Sequence, residues 1–164
     1  MNDLRFYIKT HGLIDSVFNQ GLWSLLVYRF GRSLYGKSIY KLFLIWYFYL
    51  LLKNLLVIIT KIEMPASAKI GKHANLVHAY GLVLGNRVEI GDNVTIGPWV
   101  VVGHNGVRAE QPTIASNCYI GAKASILGNI IVGEGSVVGP NTVLTTTLGP
   151  SSIAKTSFCQ ILDR

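Results

Sequence analysis

Residues 114–144 read IASNCYIGAKASILGNIIVGEGSVVGPNTVL, and an aliphatic residue returns in this stretch at every sixth position. These repeated positions, which we call anchors, are Ile114, Ile120, Ile126, Val132, Val138 and Leu144. A period of six matches neither the period of about 3.6 residues of an α-helix nor the two-residue alternation of a half-buried strand. Hexapeptide repeats are typical of parallel β-helices, in which stacked coils share one continuous core. The stretch therefore predicts a wall of stacked coils.

The same period continues towards the N-terminus. Further anchors are Ile70, Leu76, Leu84, Ile90, Ile96 and Val102, which brings the total to twelve. Since about three hexads close one triangular coil, the anchors predict about four coils, and neighbouring coils bury each other's apolar side chains. A β-sandwich of short strands is the alternative, but its strands favour two-residue alternation. The sequence thus predicts a mainly β protein built on a parallel β-helix.

Two segments depart from the period. Two extra residues fall within residues 78–81, between the anchors Leu76 and Leu84. The sequence HNGVRAEQP, residues 104–112, has no hexad pattern and predicts a polar loop. Loops on a rigid scaffold commonly carry functional side chains. After the last anchor, the three threonines at residues 145–147 predict a final strand within a capping tail.

The chain divides into residues 1–61, a basic and apolar arm, and residues 62–164, the β-helix domain with its tail. The formal net charge of the chain is +7, and the arm carries +6 of it, from eight Lys or Arg and two Asp. Residues 1–36 are predicted to be helical in two pieces. An apolar run over residues 42–59 is interrupted only by Lys53 and Asn54.

The apolar run has three readings. Neither half alone reaches the roughly twenty residues of a membrane-spanning helix, although the two halves together could span. The run could also form a helix packed against the repeat or against another subunit. Because aromatic and basic residues suit the headgroup level of an anionic leaflet, we favour peripheral membrane contact through residues 1–61.

Other features concern the compartment. The two cysteines, Cys118 and Cys159, do not suggest a disulfide framework, and the N-terminus does not resemble a secretory signal. We therefore expect a cytoplasmic protein at the inner face of the cytoplasmic membrane. No nucleic-acid-binding module is recognisable, so nucleic acid is not an expected partner.

His78 is the strongest candidate for chemistry. It lies where the regular wall is interrupted, so its imidazole is expected to point away from the stacked ladder. An imidazole with a pKa near neutrality can remove a proton from a hydroxyl and later return it. A carboxylate that orients the ring would improve this base. Glu63, roughly one coil below, is the best-placed acid, and Glu110 is the other candidate.

Four motifs within residues 62–145 carry a resemblance to a known family: IEMPASAKIG, VHAYGLVLG, IGPWVVVG and IGAKASILGNIIVGEGSVVG. The chain resembles the hexapeptide-repeat acyltransferases, and within them the serine O-acetyltransferase-like branch. The resemblance implies a left-handed β-helix, a homotrimer, and acetyl-CoA bound between adjacent prisms. It also implies that His78 is the general base and that Glu63 supports it. Residues implied for the cofactor channel are Gly103, Gly121, Ala122 and Gly139, with Lys123 or Lys155 as the cation for the CoA phosphate.

Departures from the family pattern bear on the acceptor. Serine acetyltransferases have Asp where this chain has Val77, and an Arg-His pair where it has Glu110 and Gln111. Unpaired charge in a desolvated site is costly, so these exchanges argue against serine. The sequence instead favours acetylation of a sugar hydroxyl, as in the acetyltransferases of capsule, exopolysaccharide and colanic-acid biosynthesis, with serine as the alternative. Loop residues predicted to bind the acceptor are His104, Asn105, Arg108 and Gln111.

Two other classes are compatible with the fold. Zinc enzymes of the γ-carbonic-anhydrase kind bind their metal through three histidines, and this chain offers His73, His78 and His104. Their spacing differs from that family, so no metal is expected. A non-catalytic membrane scaffold is the remaining alternative.

Overall fold

The computed structural model describes residues 2–36, 43–106 and 110–156. The helices of this part are α1 (Asn2–His11), α2 (Leu13–Val17), α3 (Gln20–Leu34) and α4 (Phe43–Thr60). Its strands are β1 (Lys69–Ile70), β2 (Asn75–Leu76), β3 (Val83–Leu84), β4 (Glu89–Ile90), β5 (Thr95–Ile96), β6 (Val101–Gly103), β7 (Thr113–Ile114), β8 (Tyr119–Ile120), β9 (Ser125–Leu127), β10 (Ile131–Val132), β11 (Val137–Val138), β12 (Val143–Leu144) and β13 (Ile153–Ala154).

The strands form the three faces of a parallel β-helix. The first face contains β1, β4, β7 and β10, the second contains β2, β5, β8, β11 and β13, and the third contains β3, β6, β9 and β12. All twelve anchors are buried. Each anchor stacks on its counterpart in the next coil, as Ile96 pairs with Ile120 and Ile120 with Val138. The predicted fold, a left-handed parallel β-helix of about four coils preceded by helices, is confirmed.

Two local predictions need correction. Residues 2–36 contain three helices rather than two, because Gly12, with a φ of 85°, and Asn19, an extended N-cap, separate them. Residues 145–147 form no strand, and the chain is next paired at Leu148, which forms a bridge with Val132. The final strand is β13, which continues the second face above β11.

Helices α1 and α3 close the lower end of the β-helix. The first coil has no coil beneath it, so its backbone polar groups need other partners. Tyr28 Oη donates to Ala68 O at 2.8 Å and accepts from Ile70 N at 3.1 Å, and Tyr7 Oη accepts from Leu76 N at 2.7 Å. Burial raises the pKa of Tyr7 to about 12 and also raises the pKa of Tyr28.

Two basic residues of the arm serve the same end of the β-helix. The Arg29 guanidinium donates to the carbonyls of Ile70 and Gly71 and forms an ion pair with Asp3 at 2.8 Å. Arg32 donates to carbonyls of residues 66 and 67. Part of the arm's positive charge therefore caps the β-helix. This contact agrees with the alternative in which the arm packs against the repeat.

Helix α4 lies on the outer side of α3. The Tyr49 ring is buried against Gly31, where a built Cβ would lie 2.3 Å from the ring. The opposite side of α4 is exposed and almost entirely apolar. Among the described residues, the helices are too short or too polar to cross a membrane.

Candidate active site

His78 lies at the corner where the second face turns into the third. In the coil above, Ile96 O accepts from Val77 N, and Trp99 N donates to Tyr80 O, so the two coils are in register on either side of His78 and Ala79. These two residues are therefore the insertion that the sequence located within residues 78–81. His78 has a φ of 48°, a left-handed conformation that is uncommon for residues other than Gly, and its side chain is exposed.

We call the line of corners between the second and third faces the His78 edge. It consists of residues 77–82, 97–100, 121–124 and 139–142.

The His78 corner faces a surface cleft of about 420 Å³. Its other wall comes from α2 and the start of α3, and the cleft is lined by Asp15, Phe18, Asn19, Gln20, His78, Ala79 and Tyr80. Ala79 is held close to α3 at Gly21, where a built Cβ would lie 2.9 Å from the Ala79 Cβ. The arm therefore forms half of the cleft in which the candidate base lies.

An aromatic pair stands next to the inserted residues on the same edge. The rings of Tyr80 and Trp99 meet edge to face with their centroids 5.1 Å apart. Trp99 covers Gly81, where a built Cβ would lie 2.2 Å from the indole Cε3, and the indole remains half-exposed. Trp99 was not among the predicted site residues, because Gly81, the residue that it covers, lies eighteen residues away in the sequence, although the two occupy equivalent positions in successive coils.

Glu63 lies in the wall beneath the third face. Its N–H donates to Leu82 O at 2.7 Å, and its carbonyl accepts from Leu84 N at 2.9 Å. Both the Glu63 and His78 side chains are exposed, and no hydrogen bond or ion pair joins them within the described residues. The predicted orienting role of Glu63 stays a prediction.

Most of the predicted cofactor residues lie on the His78 edge. Gly121 packs beneath Pro140, and Lys123 N donates to Pro98 O at 2.8 Å, which places Lys123 two coils above Gly81. A spacing of about 4.8 Å between coils makes this a rise of roughly 10 Å. Lys155 lies still higher, where a built Cβ on Gly139 would lie 3.4 Å from the Lys155 Cβ.

Ala122 lies on this edge as well, because its carbonyl accepts from Asn141 N in the coil above. Gly103 does not. It ends strand β6 at the opposite side of the third face, where the polar loop begins. The structure thus brings Gly121, Ala122, Lys123, Gly139 and Lys155 together and leaves Gly103 apart from them.

The predicted acceptor residues of the loop also lie away from the His78 edge. His104 is exposed, and its Nδ1 accepts from Gly106 N at 2.9 Å. Asn105 lies near Gly128, where a built Cβ would be 3.4 Å from the Asn105 Nδ2. The third face, about six residues wide or roughly 20 Å, separates them from His78 in one chain.

Gln111 has a structural position, because its Oε1 accepts from Arg87 N at 3.0 Å and its Nε2 donates to Asn86 at 2.9 Å. Glu110 is exposed at the end of the loop. Arg108 lies outside the described residues, so its predicted contact with the acceptor stays a prediction.

The remaining histidines and Cys118 make contacts that belong to the fold rather than to the cleft. His73 stacks on Phe6 with ring centroids 5.2 Å apart, and His11 is hydrogen-bonded to Asn75 at 3.2 Å. Among the described residues, no three His, Cys, Asp or Glu side chains converge as metal ligands. Cys118 is buried in the wall, and burial raises the pKa of its thiol.

A hexapeptide-repeat wall with a histidine in a corner insertion defines a class, the bacterial hexapeptide transferases. Residues 111–146 match the family model described as bacterial transferase hexapeptide, six repeats. The serine acetyltransferase of Helicobacter pylori is 35% identical over 146 residues, which cover 88% of this chain and 82% of that protein. The chain belongs to the serine acetyltransferase family. This membership confirms the predicted enzyme class, an O-acetyltransferase.

Solved structures agree with this assignment. The soybean serine acetyltransferase complexed with serine is 28% identical and superposes with a TM-score of 0.79 over 94% of this chain. A serine acetyltransferase in complex with CoA, 24% identical, shares the fold with a TM-score of 0.77 over 92% of the chain. The chain spans 65% and 63% of the lengths of those two proteins.

The expectation of a sugar hydroxyl as acceptor is wrong. Relatives such as those of Helicobacter pylori and Bacillus subtilis are serine acetyltransferases, which favours serine over a sugar as the acceptor. The expectation rested on Val77 and on the missing loop cation, and it treated the arm as separate from the site. The structure places Asp15, from α2, in the lining of the same cleft as His78. An acidic partner for an amino acid is therefore available without an Asp at position 77.

Proposed function

We propose that this protein transfers the acetyl group of acetyl-CoA to the side-chain hydroxyl of serine. The observation that carries the proposal is the cleft that His78 shares with Asp15 and the start of α3. His78 removes the hydroxyl proton while the oxygen attacks the thioester carbonyl. The tetrahedral intermediate then expels the thiolate of CoA, which takes the proton from the His78 imidazolium. The products are O-acetylserine and CoA, and no covalent enzyme intermediate is required.

The cleft offers complementary groups for both charges of serine. The Asp15 carboxylate suits the ammonium group of the amino acid. Asn19, whose Oδ1 caps α3, and Gln20 line the cleft at the N-terminus of this fifteen-residue helix, where the helix dipole favours a carboxylate. Recognition of serine thus depends on the arm, whereas proton transfer depends on the wall.

Acetyl-CoA as the acyl donor is the confirmed part of the predicted chemistry. We assign the extended chain of CoA to the His78 edge, which carries small residues at Gly121, Ala122 and Gly139 and a cation at Lys123. A second cation, Lys155, lies just above this edge. With the thioester next to His78, the CoA phosphates lie near these cations, which are two or more coils above. Cys118 takes no part, because its buried and protonated thiol is a poor nucleophile.

We further propose that the protein is a homotrimer. In one chain, His78 and the loop residues His104 and Asn105 lie at opposite sides of the third face. A neighbouring prism set against this face would bring its own loop to the His78 edge and complete the site. The exposed strand residues Val83 and Val143 give the third face an apolar character that suits such contact.

The decisive experiment measures CoA release from acetyl-CoA with and without serine. We choose His78→Asn, since Asn tolerates a left-handed φ, and expect a loss of at least roughly 100-fold in kcat. The matched control is His73→Asn, because His73 has a φ of 57° at a corner whose next coil carries Asn93, yet it lies outside the cleft. Wild-type turnover that does not depend on serine would overturn the proposal.

Asp15→Asn tests acceptor recognition separately. Loss of one charge-assisted bond, worth about 1.5–3 kcal/mol, should raise the KM for serine roughly 10- to 100-fold and leave the KM for acetyl-CoA unchanged. An unchanged KM for serine would remove Asp15 from the site.

The donor channel and the trimer have tests of their own. Lys123→Ala and Lys155→Ala should raise the KM for acetyl-CoA but not for its analogue without the 3′-phosphate, if that phosphate is the partner.

Subunits with His78→Asn, mixed with subunits with Arg108→Ala, should regain part of the activity in mixed trimers. Failure of complementation in verified mixed trimers would place the loop outside the site.

A further inference from the structure

The outer side of α4 is an extended apolar surface that the acetyltransfer site does not use. Tyr49 and Thr60 face α3 and are buried, whereas one side chain per turn on the opposite side is exposed. Residues of this outer face are Phe43, Tyr47, Leu51, Leu55 and Ile58, each more than half exposed. Their spacing of three or four residues places them on one stripe along the whole helix.

The outer face continues into an apolar groove between α3 and α4. The groove has a volume of about 410 Å³, and its walls include Trp23, Phe30 and Phe48. Isolated exposed apolar residues are ordinary, but a contiguous patch with aromatic side chains marks an interaction surface.

The charge of the surrounding sequence identifies the partner. Residues 16–62 contain six basic residues and no acidic residue. Arg29 and Arg32 contact the β-helix, Lys53 lies partly buried beside α3, and Lys61 is exposed at the end of α4. A second copy docked symmetrically on this face would bring two positively charged segments together. An anionic surface would neutralise them.

We propose that α4 docks on an anionic lipid bilayer and lies in the plane of its interface. The outer face enters the boundary between headgroups and acyl chains, the groove accommodates an acyl chain, and Lys61 meets the headgroups. This surface is separate from the acetyltransfer site, so membrane binding does not depend on the proposed acceptor. It would hold the enzyme at the inner face of the cytoplasmic membrane, the location expected from the sequence.

Vesicle flotation of the full-length protein tests the proposal. We expect flotation with vesicles of phosphatidylcholine and phosphatidylglycerol, weaker binding to phosphatidylcholine alone, and a decrease in binding with increasing salt. Leu51→Gln with Ile58→Gln should lower the partition coefficient at least tenfold, because each apolar carbon withdrawn from lipid costs roughly a factor of four. The matched control is Ile153→Gln, which replaces an equally exposed apolar residue on the second face of the β-helix.

Oligomeric state and activity separate the outcomes. The double variant should retain its assembly in light scattering, its thermal stability and its acetyltransferase activity in solution. A change in assembly would show that another copy covers the outer face and would overturn the proposal. Equal binding to neutral and anionic vesicles would overturn the role assigned to charge. Absence of flotation with every vesicle would overturn the proposal that α4 binds lipid.

Discussion

Tyr28→Phe removes a single oxygen atom from the junction between the arm and the first coil. That oxygen donates to Ala68 O and accepts from Ile70 N, and both hydrogen bonds are buried. Phenylalanine fills the same volume, so the substitution leaves packing unchanged and isolates the polar contribution. The substitution therefore tests whether the arm is an integral cap of the β-helix.

The expected cost follows from the groups left behind. A buried donor or acceptor without a partner costs about 1–3 kcal/mol, and the variant strands one of each. A carbonyl with one unsatisfied lone pair is tolerated better than an N–H, so the total should be about 3 kcal/mol. For a chain of this length, that corresponds to a decrease in Tm of roughly 6–12 °C.

The assay is thermal unfolding at a fixed protein concentration, since subunit assembly makes Tm depend on concentration. Amide exchange at Ile70 should rise selectively, which locates the effect at the end of the β-helix. Tyr119→Phe is the control, because Tyr119 is half-exposed on the second face, and its Tm should not change. A shift below about 2 °C with Ile70 still protected would refute the capping argument.

Further predictions concern the corner, the pH dependence and the thiol. Gly81→Ala, at a φ of 68° beneath the indole of Trp99, should lower the free energy of unfolding by about 2 kcal/mol. Trp99→Ala in the same chain should restore part of it, and additive effects would exclude the contact. Burial raises the pKa of Tyr7 from 10 to about 12, so the stabilisation present below pH 10 should fall by roughly 3 kcal/mol as pH rises through 12. Tyr7→Phe should reduce this dependence and leave the smaller contribution of Tyr28, whose pKa is also raised by burial, and an unchanged alkaline limb would contradict the assignment. Cys118 in a Cys159→Ser background should react with a thiol reagent only at the rate of unfolding, and rapid labelling of folded protein would contradict its burial.

The β-helix could be predicted because its signal is local and repeated. Every anchor identified by the six-residue period is buried, and the interruption at His78 marks the corner that lines the cleft. A period of this kind depends only on near neighbours in the sequence, so no long-range information was needed.

The role of the arm could not be predicted in the same way. Tyr7, Tyr28 and Arg29 bind backbone groups forty or more residues away, and nothing in their own segment marks those partners. Aromatic and basic residues next to an apolar run suggest a membrane surface equally well. For the same reason, the contribution of Asp15 to the cleft was missed, and with it the case for serine.

The insertion at His78 and Ala79 leaves the hydrogen bonds to the next coil intact on both sides. A change in chain length is thus accommodated at one corner, and the register of the hydrogen bonds between coils does not change. Reactive groups can therefore be gained or lost by short insertions and deletions at corners, independently of substitutions in the core. For protein engineers, each corner is a position where length can be varied to build a new site on an unchanged scaffold.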